Sequence, residues 1–180
     1  VPRLLRHLGA DLGLRLLPEH VRGHGWLRRL ASTPAERYQR LFDGFDLDGI
    51  VTYPPGHQPG RPSPLVLLIH GGPRGASITS FSARAQWLAS HGWIVFEPNY
   101  RGSSNLGNAA QAAIWNDAGA GPGRDVMSGV DLLIKQGIAD PAKMAVSGWS
   151  YGGYMTAWTI GNYPDRWQAG VAGAAVTDHL

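Results

Sequence analysis

The sequence predicts an α/β domain built on a mostly parallel, doubly wound sheet. Three observations carry that expectation. Short blocks are apolar throughout: Leu65-Val66-Leu67-Leu68-Ile69, Trp93-Ile94-Val95-Phe96, Met144-Ala145-Val146-Ser147 and the run from Ala169 to Val176. A strand with no polar face is buried on both faces, which is the habit of parallel sheets covered by helices. Between these blocks lie stretches of helical character, so strands and helices alternate. Third, one apolar strand runs directly into a helix across the small-residue turn Gly148-Trp149-Ser150-Tyr151-Gly152.

Taken along the chain, residues 1–40 show no clean period, with Pro18 and Pro34 as breaks. Residues 45–53 alternate in part and read as a strand stopped by Pro54-Pro55. Residues 54–64 hold five prolines and two glycines, a surface connection. After the strand at 65–69, residues 82–90 read as a helix, 93–96 as a strand ending at Pro98, and 105–117 as helical in part. Val126, Val130, Leu133 and Ile134 recur at helical spacing across 124–136, and Gly137 stands where a C-terminal cap belongs. The strand at 144–147, a helix from Tyr151 to Ile160 and the strand at 169–176 complete the series. No internal repeat is present.

The chain has 180 residues, enough for one domain with a core, and 43% hydrophobic against 16% charged residues is ordinary for a soluble globular protein. No apolar run reaches the roughly 18 residues that span a bilayer, so no membrane partner is expected. Cysteine is absent, which excludes disulfides and thiolate metal sites. It says little about compartment, for which the cytoplasm is favoured. The remaining histidines and acids show no ligand spacing, and neither metal nor cofactor is expected. Residues 1–40 carry eight arginines against Asp11, Glu19 and Glu36, a local balance of +5 within a chain whose net charge is +3. Such an arm either meets an anionic surface or is a solvated flank. Without aromatic residues interleaved for base stacking, no nucleic-acid partner is expected. The chain begins at Val1 and ends at Leu180 just past a strand end, which reads as a fragment.

Gly148-Trp149-Ser150-Tyr151-Gly152 fits G-x-S-x-G in the strand-to-helix context that the motif requires. A sharp turn of this kind lifts a serine hydroxyl above the sheet edge. Bulky flanking side chains would strike neighbouring strands, and glycine at 148 and 152 avoids the collision. The helix that follows aims its N-terminal N–H groups at a developing negative charge. Ser150 is therefore the candidate nucleophile of an acyl-transfer site. His70-Gly71-Gly72-Pro73 supplies the second component, a glycine-rich loop after an earlier strand. An oxyanion needs two preorganised donors: the N–H of Tyr151 is one candidate, and the N–H of Gly72 the other. Each such donor contributes roughly 3 kcal/mol to transition-state stabilisation in measured cases. Gly71 lets the loop approach. His70 either holds this loop by hydrogen bonding or serves as a base.

A serine needs a histidine to take its proton and a carboxylate to orient that histidine, and in this motif's fold both follow the serine in the chain. After Ser150 the only histidine is His179, too early for that role. Asp165 belongs to a surface turn, and Asp178 near a strand end remains an open candidate for the acid. The simplest expectation is that the base and acid lie beyond Leu180.

From about residue 44 onward the sequence resembles the prolyl oligopeptidase family of serine peptidases, in its acylaminoacyl-peptidase and dipeptidyl-peptidase-like branch. The resemblance rests on His70-Gly71-Gly72-Pro73, Asn99-Tyr100-Arg101-Gly102-Ser103, Gly148-Trp149-Ser150-Tyr151-Gly152-Gly153-Tyr154-Met155-Thr156, and the strand holding Val171-Ala172-Gly173-Ala174 with Val176-Thr177-Asp178. It implies that residues 44–180 form the N-terminal part of an α/β-hydrolase catalytic domain, and that residues 1–43 are a basic segment left from an upstream domain or altered. It implies short peptides as substrates, Ser150 as nucleophile, Tyr151 and Gly72 as oxyanion donors, and no cofactor. It further implies that Asn99-Tyr100-Arg101-Gly102 braces the site. Arg101 then either pairs with an acid such as Asp125 or binds a substrate carboxylate. Tyr154 and Trp158 either line a specificity pocket or pack the core. An esterase with the same site, and a non-catalytic relative, are the competing readings. Residues 1–180 alone are expected to hydrolyse peptides negligibly.

Overall fold

The computed structural model describes residues 38–39 and 46–177. The expectations for the rest of residues 1–43, for Asp178 and for His179 concern residues outside those ranges. The elements are β1 (Tyr38–Gln39), β2 (Asp46–Thr52), β3 (Ser63–Ile69), α1 (Ala83–Ser90), β4 (Ile94–Asn99), α2 (Asn108–Ala112), α3 (Ala120–Lys135), β5 (Ala139–Trp149), α4 (Tyr151–Asn162), a short 3-10 turn (Pro164–Arg166) and β6 (Ala169–Gly173). Six strands form one sheet in the order β1-β2-β4-β3-β5-β6. β2 runs antiparallel to β4, whereas β4, β3, β5 and β6 are mutually parallel. Leu67 lies opposite Phe96 on one side and Val146 on the other, at the centre of the sheet.

Alternation along a strand sends neighbours to opposite faces, and the core divides accordingly. Leu65, Leu67, Ile69, Phe96, Met144 and Val146 pack with Val126, Val130 and Leu133 of α3 and with Met155 of α4. Leu68 and Val95 turn the other way and pack with Ala85 and Ala89 of α1. Helices therefore cover both faces, as the fully apolar strands require. Ser82 caps α1 by accepting the Ala85 N–H at 3.3 Å. At the end of α3, Gly137 takes φ +69°, while the Ile138 N–H returns to Leu133 O at 2.9 Å. That is the glycine-terminated helix end read from the sequence.

Three elements depart most in their bounds from the sequence expectation. α3 starts at Ala120, four residues early, and runs through Gly121-Pro122-Gly123. Proline costs nothing in a first turn, where its N–H has no acceptor. A side chain at Gly123 would collide with the ring of Trp158. β5 is longer than 144–147, because its first residues pair irregularly with β3, Ser63 with Ala139 and Leu65 with Met144. β6 stops at Gly173, where Ala174 turns to φ +44°. β6 is also less buried than the other parallel strands. It is apolar yet exposed along most of its length, with Val171 66% accessible, because β5 is its only neighbouring strand among the described residues. No helix among the described residues is long and apolar enough to cross a membrane.

Candidate active site

Ser150 stands between β5 and α4 with φ +59° and ψ −121°, a left-handed backbone that side-chain-bearing residues rarely adopt. Backbone packing on three sides holds it there. Its N–H donates to Gly173 O at 2.9 Å, and its carbonyl accepts the Tyr154 N–H at 3.0 Å. A side chain at Gly148 would overlap the carbonyl of Gly152, one at Gly152 that of Ile69, and one at Gly153 that of Gly173. The obstacle in each case is main chain that cannot move aside. The elbow is thus wedged between the ends of β3 and β6, and glycine is the residue that fits. Ser150 sits at the N-terminus of α4, where the first-turn N–H groups lack intrahelical acceptors and the helix dipole is positive.

The loop after β3 closes against the same point. A Cβ on Gly71 would lie 2.9 Å from Trp149 O and 3.5 Å from Ser150 Cβ, so the Gly71 backbone rests directly on the elbow. Gly72 has φ +128°, open to glycine alone, and joins Pro73 through a cis peptide. Ser150, Tyr151 and Gly72 open into one cavity of about 470 Å³, whose walls include Ile114, Trp115 and Tyr154.

His70 does not line this cavity. Its Nδ1 is 2.8 Å from Gly71 O and its Nε2 is 3.0 Å from Ser103 Oγ. A carbonyl only accepts, so Nδ1 carries the proton toward Gly71 and Nε2 accepts from the Ser103 hydroxyl. Burial holds the His70 pKa below its ordinary value against the opposing effect of the Gly71 bond, which keeps the ring neutral. Tyr100 stacks on the ring with centroids 4.4 Å apart, and its hydroxyl donates to His70 O at 2.8 Å. Burial also drives the Tyr100 phenol pKa upward, so it remains a donor. Asn99 ties the next stretch of loop: its Oδ1 accepts the Ser77 N–H at 2.7 Å, and its Nδ2 donates to Ser77 O at 2.9 Å and Asp48 Oδ1 at 2.7 Å.

Arg101 and Asp125 form a buried two-point ion pair, Nε to Oδ2 at 2.7 Å and Nη2 to Oδ1 at 2.9 Å. The Arg101 backbone N–H adds a third bond to Oδ2 at 2.9 Å. The guanidinium is thereby spent on α3 and does not face the cavity. Tyr151 donates its hydroxyl to Ala118 O at 2.6 Å, and burial raises its pKa, with Tyr154, Asp117 and Asp125 adding to the effect. Tyr154 lines the cavity wall, whereas Trp158 packs against α3 and belongs to the core. The structure thus gathers Ser150, Tyr151, Gly72 and Gly71 at one point and sets His70 and Arg101 behind it. Sequence reasoning missed Arg74, Ile114, Trp115, Asn116 and Ala118, which no motif marks, and named Val176 only as part of a strand; these residues complete the cavity.

The prolyl oligopeptidase family model matches residues 79–180, more than half of the chain. The chain belongs to the prolyl oligopeptidase family. It is 38% identical over 113 residues to the acylamino-acid-releasing enzyme of Arabidopsis thaliana, covering 63% of this chain and 15% of that enzyme. It is 36% identical over 117 residues to dipeptidyl aminopeptidase BIII of Pseudoxanthomonas mexicana, covering 61% of this chain and 16% of the relative. Among solved structures, a puromycin-hydrolyzing peptidase of Mycobacterium tuberculosis superposes with a TM-score of 0.76 at 29% identity, over 86% of this chain and 23% of that one. The fold is that of the α/β-hydrolases, and the matched relatives are peptidases. The chain spans only about a sixth of the length of these curated relatives.

Proposed function

We propose that Ser150 is the nucleophile of a serine peptidase acting on short peptides. One observation carries this reading: a serine held in a left-handed elbow at a helix N-terminus opens, together with Tyr151 and Gly72, into a single cavity. In the reaction Ser150 Oγ attacks the peptide carbonyl carbon while a base takes its proton. The carbonyl oxygen becomes an oxyanion, for which the Tyr151 and Gly72 N–H groups are the donors. The C–N bond then breaks, the base returns the proton to the departing amine, and water releases the acyl group from Ser150.

His70 is not that base, because Gly71 O and Ser103 Oγ engage both of its ring nitrogens. We assign the base and its orienting carboxylate to residues outside the 180 of this sequence. The chain's small share of its relatives' length is compatible with that assignment. The relatives' names, acylamino-acid-releasing enzyme and dipeptidyl aminopeptidase, favour a substrate cleaved near its N-terminus. Turnover of acyl-aminoacyl and dipeptidyl anilides by the protein that carries this chain tests the reading. Ser150→Ala should lower kcat by roughly a million-fold, the loss seen when a triad serine is removed in another hydrolase. Undiminished turnover by that variant would overturn the proposal.

A further inference from the structure

The cavity beside Ser150 carries a charge that its chemistry does not use. Of its lining residues, Arg74 alone is ionised at neutral pH; the others are glycine, proline, apolar, aromatic, amide or hydroxyl side chains. Arg74 is exposed and makes no ion pair among the described residues. Its guanidinium carbon lies 5.9 Å from the ring centroid of Trp115, itself exposed at the same rim. A cation resting on an indole is oriented without being neutralised.

No described acid forms an ion pair with Arg74, although the field of Asp117 and Asp125 reaches Tyr151 in the lining. Asp117, the closest in sequence to Trp115, accepts the Gly121 N–H with both oxygens at 2.9 Å. Asp125 holds Arg101. Asp48 binds Asn99 and Asn105. Glu97 lies in a separate cleft with Arg84 and Ser82. The cavity is thus an apolar and aromatic chamber with one positive rim and no carboxylate among its described lining residues. A chamber of that kind favours a substrate anion and disfavours a substrate cation.

We infer that Arg74, laid on Trp115, is a charge-selecting residue of this site and that the cavity prefers a peptide carrying a carboxylate at the residue it holds. The inference rests on the peptidase reading only for the identity of the ligand as a peptide. The carboxylate has two possible sources, an acidic side chain or a free C-terminus. Neutral acylated residues rank next, and residues presenting an ammonium rank last.

Binding to the protein that carries this chain tests it, by ligand-observed NMR with N-acetyl-glutamate amide, N-acetyl-glutamine amide, N-acetyl-lysine amide and N-acetyl-glutamine with a free carboxylate. The expected order of affinity is Glu over Gln over Lys, in steps of about threefold to fivefold at low salt, shrinking as salt rises. A preference shown by the free-carboxylate ligand alone supports the same recognition and assigns it to the chain terminus. Arg74→Lys should keep the order, Arg74→Gln flatten it and Arg74→Glu reverse it. Affinities that ignore ligand charge, or an order that survives Arg74→Gln, would overturn the inference. Turnover of acetyl-glutamyl and acetyl-glutaminyl anilides, measured in parallel, separates the two failures. Turnover without charge preference in either assay removes the charge selector and leaves the peptidase; charge-ordered binding without turnover does the reverse.

Discussion

The inner wall of the site and its outer rim are built on opposite principles. The wall is main chain packed on main chain. Gly148, Gly152 and Gly153 each abut a backbone carbonyl, His70 is bonded at both nitrogens and stacked on Tyr100, and Arg101 is locked to Asp125. The rim is side chain facing solvent: Trp115 is 68% exposed, Arg74 rests on it, and Val176 is 46% exposed. A strained serine persists only where its surroundings over-determine it, and the wall supplies that. The rim is free to vary without loosening Ser150. Position is thus set by the buried half of the site and selectivity is left to the exposed half.

Removing one partner of the buried ion pair probes the wall hardest. Asp125→Ala leaves Arg101 charged and buried, and should cost about 3–5 kcal/mol of stability, measured by urea unfolding. A loss under about 1 kcal/mol would mean that this pair does not brace the site. Gly152→Ala drives a methyl into the Ile69 carbonyl and should destabilise by at least about 1–3 kcal/mol, read the same way; a neutral result would show that the elbow can relax. Trp115→Ala marks the opposite limit. Exposed as it is, its truncation should shift stability by no more than about 0.5 kcal/mol. A loss comparable to that of Gly152→Ala would erase the distinction between wall and rim.

The same division decides what was legible in the sequence. Where a backbone oxygen stands within reach of a Cβ position, only glycine is accepted, so Gly148, Gly152 and Gly153 announce the elbow and the strand-to-helix turn around it. The central strands were equally legible, because burial on both faces leaves only apolar residues. Legibility failed where local signals met tertiary packing. Gly121-Pro122-Gly123 precedes the helix expected over 124–136, yet it forms the first turn of α3, with Trp158 and Arg101 occupying the space that side chains at the two glycines would need. β6 is apolar like the central strands yet largely exposed, because burial depends on a second neighbouring strand that strand composition does not encode. The rim was illegible for a third reason. Trp115 and Arg74 are 41 positions apart and share no motif, and only the folded loops bring them together.

The proposed role of the wall is to present Ser150 as a reactive nucleophile. A fluorophosphonate probe applied to the folded protein that carries this chain, followed by peptide mapping of the adduct, addresses it most directly. One modified residue, Ser150, is expected, with labelling lost in Ser150→Ala. A folded protein that takes no label, or takes it at another serine, would contradict it.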